Sequence, residues 1–367
     1  MPRLRLFAAA GLMSLAFAGC SDADVGEEQV SATKAANAQA PATPTPAPAP
    51  VVASASPLAQ AIDASAWAAA PATPIAGRDA LIKAQVLLDR ASFAPGVIDG
   101  QAGENVRQAI AAFEQAKGLT VDGQLDTEVW AALVAADATP VMQDYVITEA
   151  DVAGPFVAKV PSDMAEMAKL ETLAYSGPAE ALAEKFHMDE KLLRALNPEA
   201  DFAKAGTTIL VARPAADELP SKVARIEVDK AEKELRAFDA AGVLLAVYPA
   251  TVGSTDMPAP SGEWEVNTVA PAPTYTYDPS RLNFGKGGKK LTIAAGPNNP
   301  VGGTWIDLTK DTYGIHGGPD PSHIGKTDSH GCVRLTNWDA NELGAAVKKG
   351  AVVVFMGSET KAGKTTA

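Results

Sequence analysis

Residues 313–337 read YGIHGGPDPSHIGKTDSHGCVRLTN and hold three of the four histidines, His316, His323 and His330, with Cys332, one of two cysteines. Glycines at 317, 318 and 331 let the backbone turn, and let it approach a bound chain, where a side chain would forbid it. A stretch with so many turns must be held in place by the rest of the fold. A thiol attacks carbonyls as the thiolate, so a reactive cysteine needs a neighbouring imidazole or cation. His330 lies two residues before Cys332, too near in sequence for the side chains to meet head to head. His316, sixteen residues before it on what reads as one strand over 305–316, can fold back against the thiol and is the expected base. A turn at Ser329-His330-Gly331-Cys332 aims the amides of Gly331 and Cys332 at one point, as an oxyanion hole requires. Arg334 falls on the same face as Cys332 if the segment is extended, placed to pair with a substrate carboxylate. A zinc site would use the same residue types, but no CxxC or HxxxH pair is present, so no metal is expected.

The pattern HGG followed by SHGCVRLTN resembles the L,D-transpeptidase (YkuD-like) catalytic domain, and GPNNPVGGTWIDL at 296–308 is similar to the segment leading into it. The resemblance implies a cysteine enzyme of peptidoglycan stem peptides, without cofactor. It assigns Cys332 as nucleophile, His316 as base and the Gly317 carbonyl as the group orienting the imidazole. It places Ser329, His330 and Gly331 around the oxyanion pocket and Arg334 in the substrate site. His323 has no role in it. The acyl acceptor stays open: a stem-peptide amine gives 3→3 cross-links, water gives a carboxypeptidase or hydrolase, and a protein lysine gives attachment to the wall. A reading of another class is a non-catalytic tether between membrane and wall.

At the start, Arg3 and Arg5 precede an apolar run over 6–17, the pattern of an export signal too short to span a membrane. Phe17-Ala18-Gly19-Cys20 resembles a lipobox, which would make Cys20 a lipidated N-terminus after removal of 1–20. Ala16-Phe17-Ala18 offers ordinary cleavage and a soluble product instead. If Cys20 carries lipid, Cys332 is an unpaired thiol in an oxidising compartment, better explained by reactivity than by structure. Residues 21–77, including PATPTPAPAP, lack the apolar content to fold and read as a disordered spacer.

Folded sequence begins near 78. Leu81, Val86, Leu87 and Leu88, then Val106, Ile110 and Phe113, then Val129, Trp130 and Leu133 fall at helical spacing, separated by PGVIDG and VDG turns. This order over 78–137 is similar to the type 1 peptidoglycan-binding domain, a three-helix module. Within 140–214, ALAEKFHMDEKLLRALNP and GTTILVA resemble a LysM module, a β-α-α-β unit. Some thirty residues between its first strand and first helix depart from that family. His187, between the helices, reads as a solvated loop residue. Over 221–357 alternating runs predict a β-rich sandwich or barrel closed by a helix and a last strand. The polar, glycine-rich 271–288 reads as a lid, and 358–367 as a tail. The expected whole is a multidomain α+β chain.

Charge follows this division. Residues 21–220 carry 13 Lys+Arg against 28 Asp+Glu, a net of −15, while 221–357 carry 14 against 15, a net of −1. No basic face is available for nucleic acid, and a nearly neutral catalytic region can accept a zwitterionic peptide. The expected partners are peptidoglycan and, through lipid, a membrane.

Overall fold

The computed structural model describes residues 56–69, 74–281, 289–329 and 331–359. The export signal, Cys20, most of the spacer, His330, part of the lid and most of the tail lie outside the described residues. The spacer is shorter than the composition suggests. Helix α1 (Pro57–Asp63) sits inside it, with Ala59 and Ile62 buried and Trp67 packed against the same core. Its last residue ties it down, since Asp63 Oδ1 accepts the Val141 and Met142 amides at 2.7 and 3.2 Å. A few large apolar side chains and one carboxylate suffice to order a segment that is otherwise Ala/Pro-rich.

Helices α2 (Pro74–Arg90), α3 (Glu104–Lys117) and α4 (Thr127–Ala136) form the first module. The repeated Asp-Gly turns share one device. Gln85 Oε1 accepts the Asp99 and Gly100 amides, and Glu114 Oε2 accepts those of Asp122 and Gly123. Both glycines have φ of +69°, which only glycine adopts freely.

Strands β1 (Met142–Val146) and β2 (Thr208–Ala212) pair antiparallel around helices α7 (Pro178–Lys185) and α8 (Glu190–Leu196). The insertion between β1 and α7 carries short helices α5 (Glu149–Val152) and α6 (Met164–Met167). Met167 and Leu173 from it pack with Ile293, Tyr275 and Leu291.

The remaining chain forms β3 (Val223–Asp229), β4 (Glu234–Phe238), β5 (Leu244–Pro249), β6 (Thr251–Val252), β7 (Gly262–Pro271), β8 (Tyr275–Tyr277), β9 (Leu291–Ile293), β10 (Thr304–Leu308), β11 (Gly314–His316), β12 (Val333–Arg334), α9 (Asn337–Ala346) and β13 (Val347–Met356). Nine strands make one sheet in the order β5-β4-β3-β13-β7-β10-β11-β12-β6. The outermost strands, β5 and β6, are separated only by Ala250, so the sheet must curl round in a barrel-like way. Its inside is filled by Ile226, Leu235, Tyr248, Ile306, Ile315 and Val353, with α9 laid across it through Leu343 and Ala346. β8, in the expected lid, pairs antiparallel with β9, just beyond it, as a separate two-stranded sheet.

The stretch 305–316 is not one strand. A turn at 309–313 folds it into the β10–β11 hairpin, with Trp305 directly opposite His316.

The modules interlock. Ser92 O accepts the Val247 amide and Val247 O accepts the Ala94 amide, at 2.9 and 2.8 Å, which caps the open edge of β5. Ile98 exchanges hydrogen bonds with the His187 carbonyl and the Asp189 amide. His187 is therefore not a solvated loop residue. Its ring lies between Asp89 of α2 and Asp217, with Nδ1 3.1 Å from Asp89 and Nε2 3.3 Å from Asp217. It also stacks on Trp338, centroids 4.9 Å apart.

Candidate active site

The site is built on β11 and β12, which run parallel with Ile315 opposite Val333 and His316 opposite Arg334. Residues in register on parallel strands face the same way, and side chains alternate along each strand. Cys332 immediately precedes β12 and shares a face with Arg334, and therefore with His316. Spacings of sixteen and two residues in sequence become neighbours on one sheet face.

His316 is buried, and its Nδ1 lies 2.5 Å from Gly317 O. A carbonyl can only accept, so Nδ1 carries the proton and Nε2 presents its lone pair. Trp305 stacks on the ring from the paired strand, with centroids 5.4 Å apart. Gly314 makes room for the indole, because a Cβ there would lie 2.4 Å from Trp305 Cζ2. Burial first, then the Arg334 charge, pull the imidazole down to about 3, against a small lift from Gly317 O. The ring is accordingly neutral at physiological pH.

Cys332 is half-buried and, among the described residues, free of any disulfide, and its Sγ lies 3.8 Å from Thr312 O. Burial pushes the thiol up, opposed by a hydrogen bond from the Gly314 backbone and by the Arg334 charge. The resting pair is therefore thiol and neutral imidazole. Arg334 keeps its charge although burial lowers it, and its Nε is a buried donor without a partner among the described residues. Tyr275, on β8, is raised by burial and then by the Cys332 charge.

Ser329 does a structural task. Its Oγ donates to Cys332 O at 2.6 Å and accepts from the Gly331 amide at 3.2 Å, so the loop closes on itself before the nucleophile. Gly331 takes φ of +109° there, and a Cβ would lie 2.8 Å from Tyr313. The Gly331 amide is thus spent on Ser329, while the Cys332 amide is the other donor of the expected pair. His323 sits apart in the turn 321–323, exposed and 2.9 Å from Asp320.

A layer behind the site was not foreseen from sequence. Asn337, the first residue of α9, accepts from the Gly303 amide at 3.1 Å, while its Nδ2 donates to Pro297 O and to both oxygens of Glu184. Its Oδ1 also lies where a Cβ on Gly302 or Gly317 would have to go. Glu184 belongs to α7, in the β-α-α-β unit. Burial lifts it to about 7, against hydrogen bonds from Asn337 and Tyr175. The missed signal was an acid on the apolar side of the α7 pattern, which has a reason to be there only if something polar meets it.

The L,D-transpeptidase catalytic domain model matches residues 223–355, and the model described as "Putative peptidoglycan binding domain" matches 77–133. Neither reaches the β-α-α-β unit. The chain is 29% identical to the "Putative L,D-transpeptidase YkuD" of Bacillus licheniformis over 173 residues, 47% of this chain and 88% of that one. It is 32% identical to the "Probable L,D-transpeptidase ErfK/SrfK" of Escherichia coli K12 over 175 residues, 45% of this chain and 55% of that one. Among solved structures, an L,D-transpeptidase of Stackebrandtia nassauensis aligns over 76% of this chain and 91% of its own at 14% identity, with a TM-score of 0.29. Behind a region that matches the peptidoglycan-binding domain, the chain carries an L,D-transpeptidase catalytic domain over residues 223–355.

Proposed function

We propose that the protein acts in the cell envelope as a cysteine L,D-transpeptidase, joining peptidoglycan stem peptides by 3→3 cross-links through a Cys332 acyl-enzyme. The observation that carries this reading is one sheet face presenting the Cys332 thiol, the Nε2 lone pair of a buried, tautomer-fixed His316 and the unpartnered Nε of Arg334.

The sequence of steps follows from those groups. Arg334 pairs with a carboxylate of the donor stem. His316 Nε2 takes the thiol proton as Sγ bonds to the carbonyl carbon of the third stem residue. The Cys332 amide donates to the oxyanion. Collapse breaks the C–N bond, and His316 returns its proton to the departing D-alanine amine. The side-chain amine of a second stem then attacks the thioester and gives its proton to His316, which passes it to Sγ as the C–S bond breaks, leaving the new amide, the free thiol and a neutral imidazole. The resting pair is neutral, and the Gly314 amide and Arg334 stabilise the thiolate as it forms, most strongly when substrate shields the site from water.

Export by the N-terminal signal, with lipid on Cys20, places the enzyme at the wall in this reading. Among the described residues no helix is long and apolar enough to cross a membrane. The test is intact mass after incubation with a carbapenem, whose ring a family thiolate opens. One adduct that maps to Cys332 and is abolished in Cys332→Ala is expected. An unmodified wild-type protein would refute the reading.

A further inference from the structure

Among the contacts of the β-α-α-β unit with the catalytic region is a buried carboxylate that wall binding does not explain. Glu184, 6% exposed, extends from α7 to Asn337 Nδ2, with oxygens at 3.3 and 3.0 Å. Asn337 lies under the two glycine segments that bracket the base. Its Oδ1 holds the Gly303 amide at 3.1 Å and is the nearest atom to a Cβ built at either Gly302 or Gly317. Gly317 in turn donates its amide to Thr304 O at 3.2 Å and offers its carbonyl to His316 Nδ1 at 2.5 Å. Three contacts therefore join a carboxylate outside the catalytic fold to the imidazole.

We propose that Glu184 is a positioning residue for His316, acting through Asn337. Without Glu184, the carboxamide of Asn337 keeps only Pro297 O, at 3.2 Å, as an acceptor for Nδ2, and the preference for the end that faces Gly303 weakens. A flipped amide would present Nδ2 to the Gly303 N–H, a donor against a donor, and the Gly317 carbonyl would shift with the segment. A displacement of about 1 Å at a catalytic group costs on the order of a hundredfold in rate. The inference rests on His316 and Cys332 being the reacting pair.

The arrangement also carries a pH dependence. Facing Glu184 are Glu180 and His187 of its own segment, Tyr175 before α7, and Asn337 of α9. The groove it lines also carries Lys191, Arg194 and Arg334. An ionised Glu184 accepts from Asn337 with either oxygen. Once protonated, one oxygen becomes a donor and the grip on Asn337 weakens. Reactivity should therefore fall as pH drops through about 7. His316, held at about 3, contributes no change in that range, and the slope of the Cys332 thiol is common to all variants, so the fall due to Glu184 is the loss of rate beyond that slope.

The test measures, on the full chain, the rate of Cys332 acylation by a carbapenem from pH 5 to 8.5. In parallel it measures alkylation of Cys332 by iodoacetamide, localised by peptide mass, which reports the thiol–imidazole pair without any substrate. Glu184→Ala is expected to slow both reactions tenfold or more. Glu184→Gln keeps an acceptor for Asn337 and should retain most of the rate at pH 8 while losing the fall near pH 7. Lys185→Ala, on the same helix but turned to Asp151 and Tyr145, should behave as wild type. Wild-type rates and profiles in both Glu184 variants would overturn the proposal. So would a fall near pH 7 that persists in Glu184→Gln, which would assign it to Glu342, also raised to about 7. A wild type that alkylates but resists the carbapenem would count against the proposed function, while the iodoacetamide profiles would still decide the role of Glu184.

Discussion

Replacing His187 by Gln should loosen the joint between the modules, and by a calculable amount. His187 is 5% exposed and bridges Asp89 at 3.1 Å and Asp217 at 3.3 Å while stacking on Trp338. Asp89 is itself 6% exposed, and its other oxygen accepts the Ala215 amide at 2.8 Å. Removing the cation leaves that carboxylate buried without a counter-charge, which costs about 3–5 kcal/mol. For a unit of this size that lowers Tm by on the order of 10 °C. The sign with pH is fixed by the direction of the shift. The partner carboxylates hold His187 up at about 10 against desolvation, from an unfolded value of 6.5. Its contribution is thus fully present below about pH 6.5 and disappears as pH rises through 10. Glu184 and Glu342, both raised by burial to about 7, have finished titrating by pH 8; Cys332 and Lys83, also shifted by burial, are common to both proteins, so the histidine is read as the difference between wild type and variant from pH 8 to 10. Thermal denaturation followed by fluorescence should show wild-type Tm falling across that window and a lower, flatter curve for His187→Gln. Equal Tm values with parallel slopes would mean that the bridge carries no charge.

Three further outcomes follow from the active site. Gly314→Ala puts a methyl 2.4 Å from Trp305 Cζ2; overpacking costs about 1–3 kcal/mol, and displacing the indole from His316 should slow Cys332 alkylation while leaving the far-UV circular dichroism unchanged. Arg334→Ala removes the cation that lowers the thiol, so the alkylation profile should move to higher pH. It should also raise KM for a stem peptide by about 10- to 100-fold, the worth of a charge-assisted hydrogen bond. His323→Ala touches only the exposed Asp320 pair and should leave acylation at the wild-type rate; a loss as large as that of His316→Ala would move the base assignment.

How much of this could be read in the sequence depended on range. His316, Cys332 and Arg334 are close in the chain, and their chemistry demands a contiguous, glycine-rich stretch, so their proximity was legible. The hairpin inside 305–316 was not, because the turn residues 309–312 (TKDT) interrupt an otherwise strand-like pattern without a glycine or proline. The charge on His187 depends on Asp89, 98 residues earlier in the chain, and no local pattern announces such a partner. The same holds for Glu184, whose partner Asn337 is 153 residues away. In α1, composition misled: the Ala/Pro bias of the spacer hid the apolar anchors Ile62 and Trp67. The Gly331 amide, expected to face an oxyanion, is claimed by Ser329 Oγ, a competition between a side chain and a substrate that spacing cannot rank.

The most direct test of the central reading is mass spectrometry of the products when the full chain is incubated with a disaccharide tetrapeptide, beside the Cys332→Ala variant. A dimer lighter by one D-alanine, absent with the variant, is the predicted result. Tripeptide alone would make water the acceptor, and an unchanged substrate from a folded wild-type protein would contradict catalysis by Cys332 altogether.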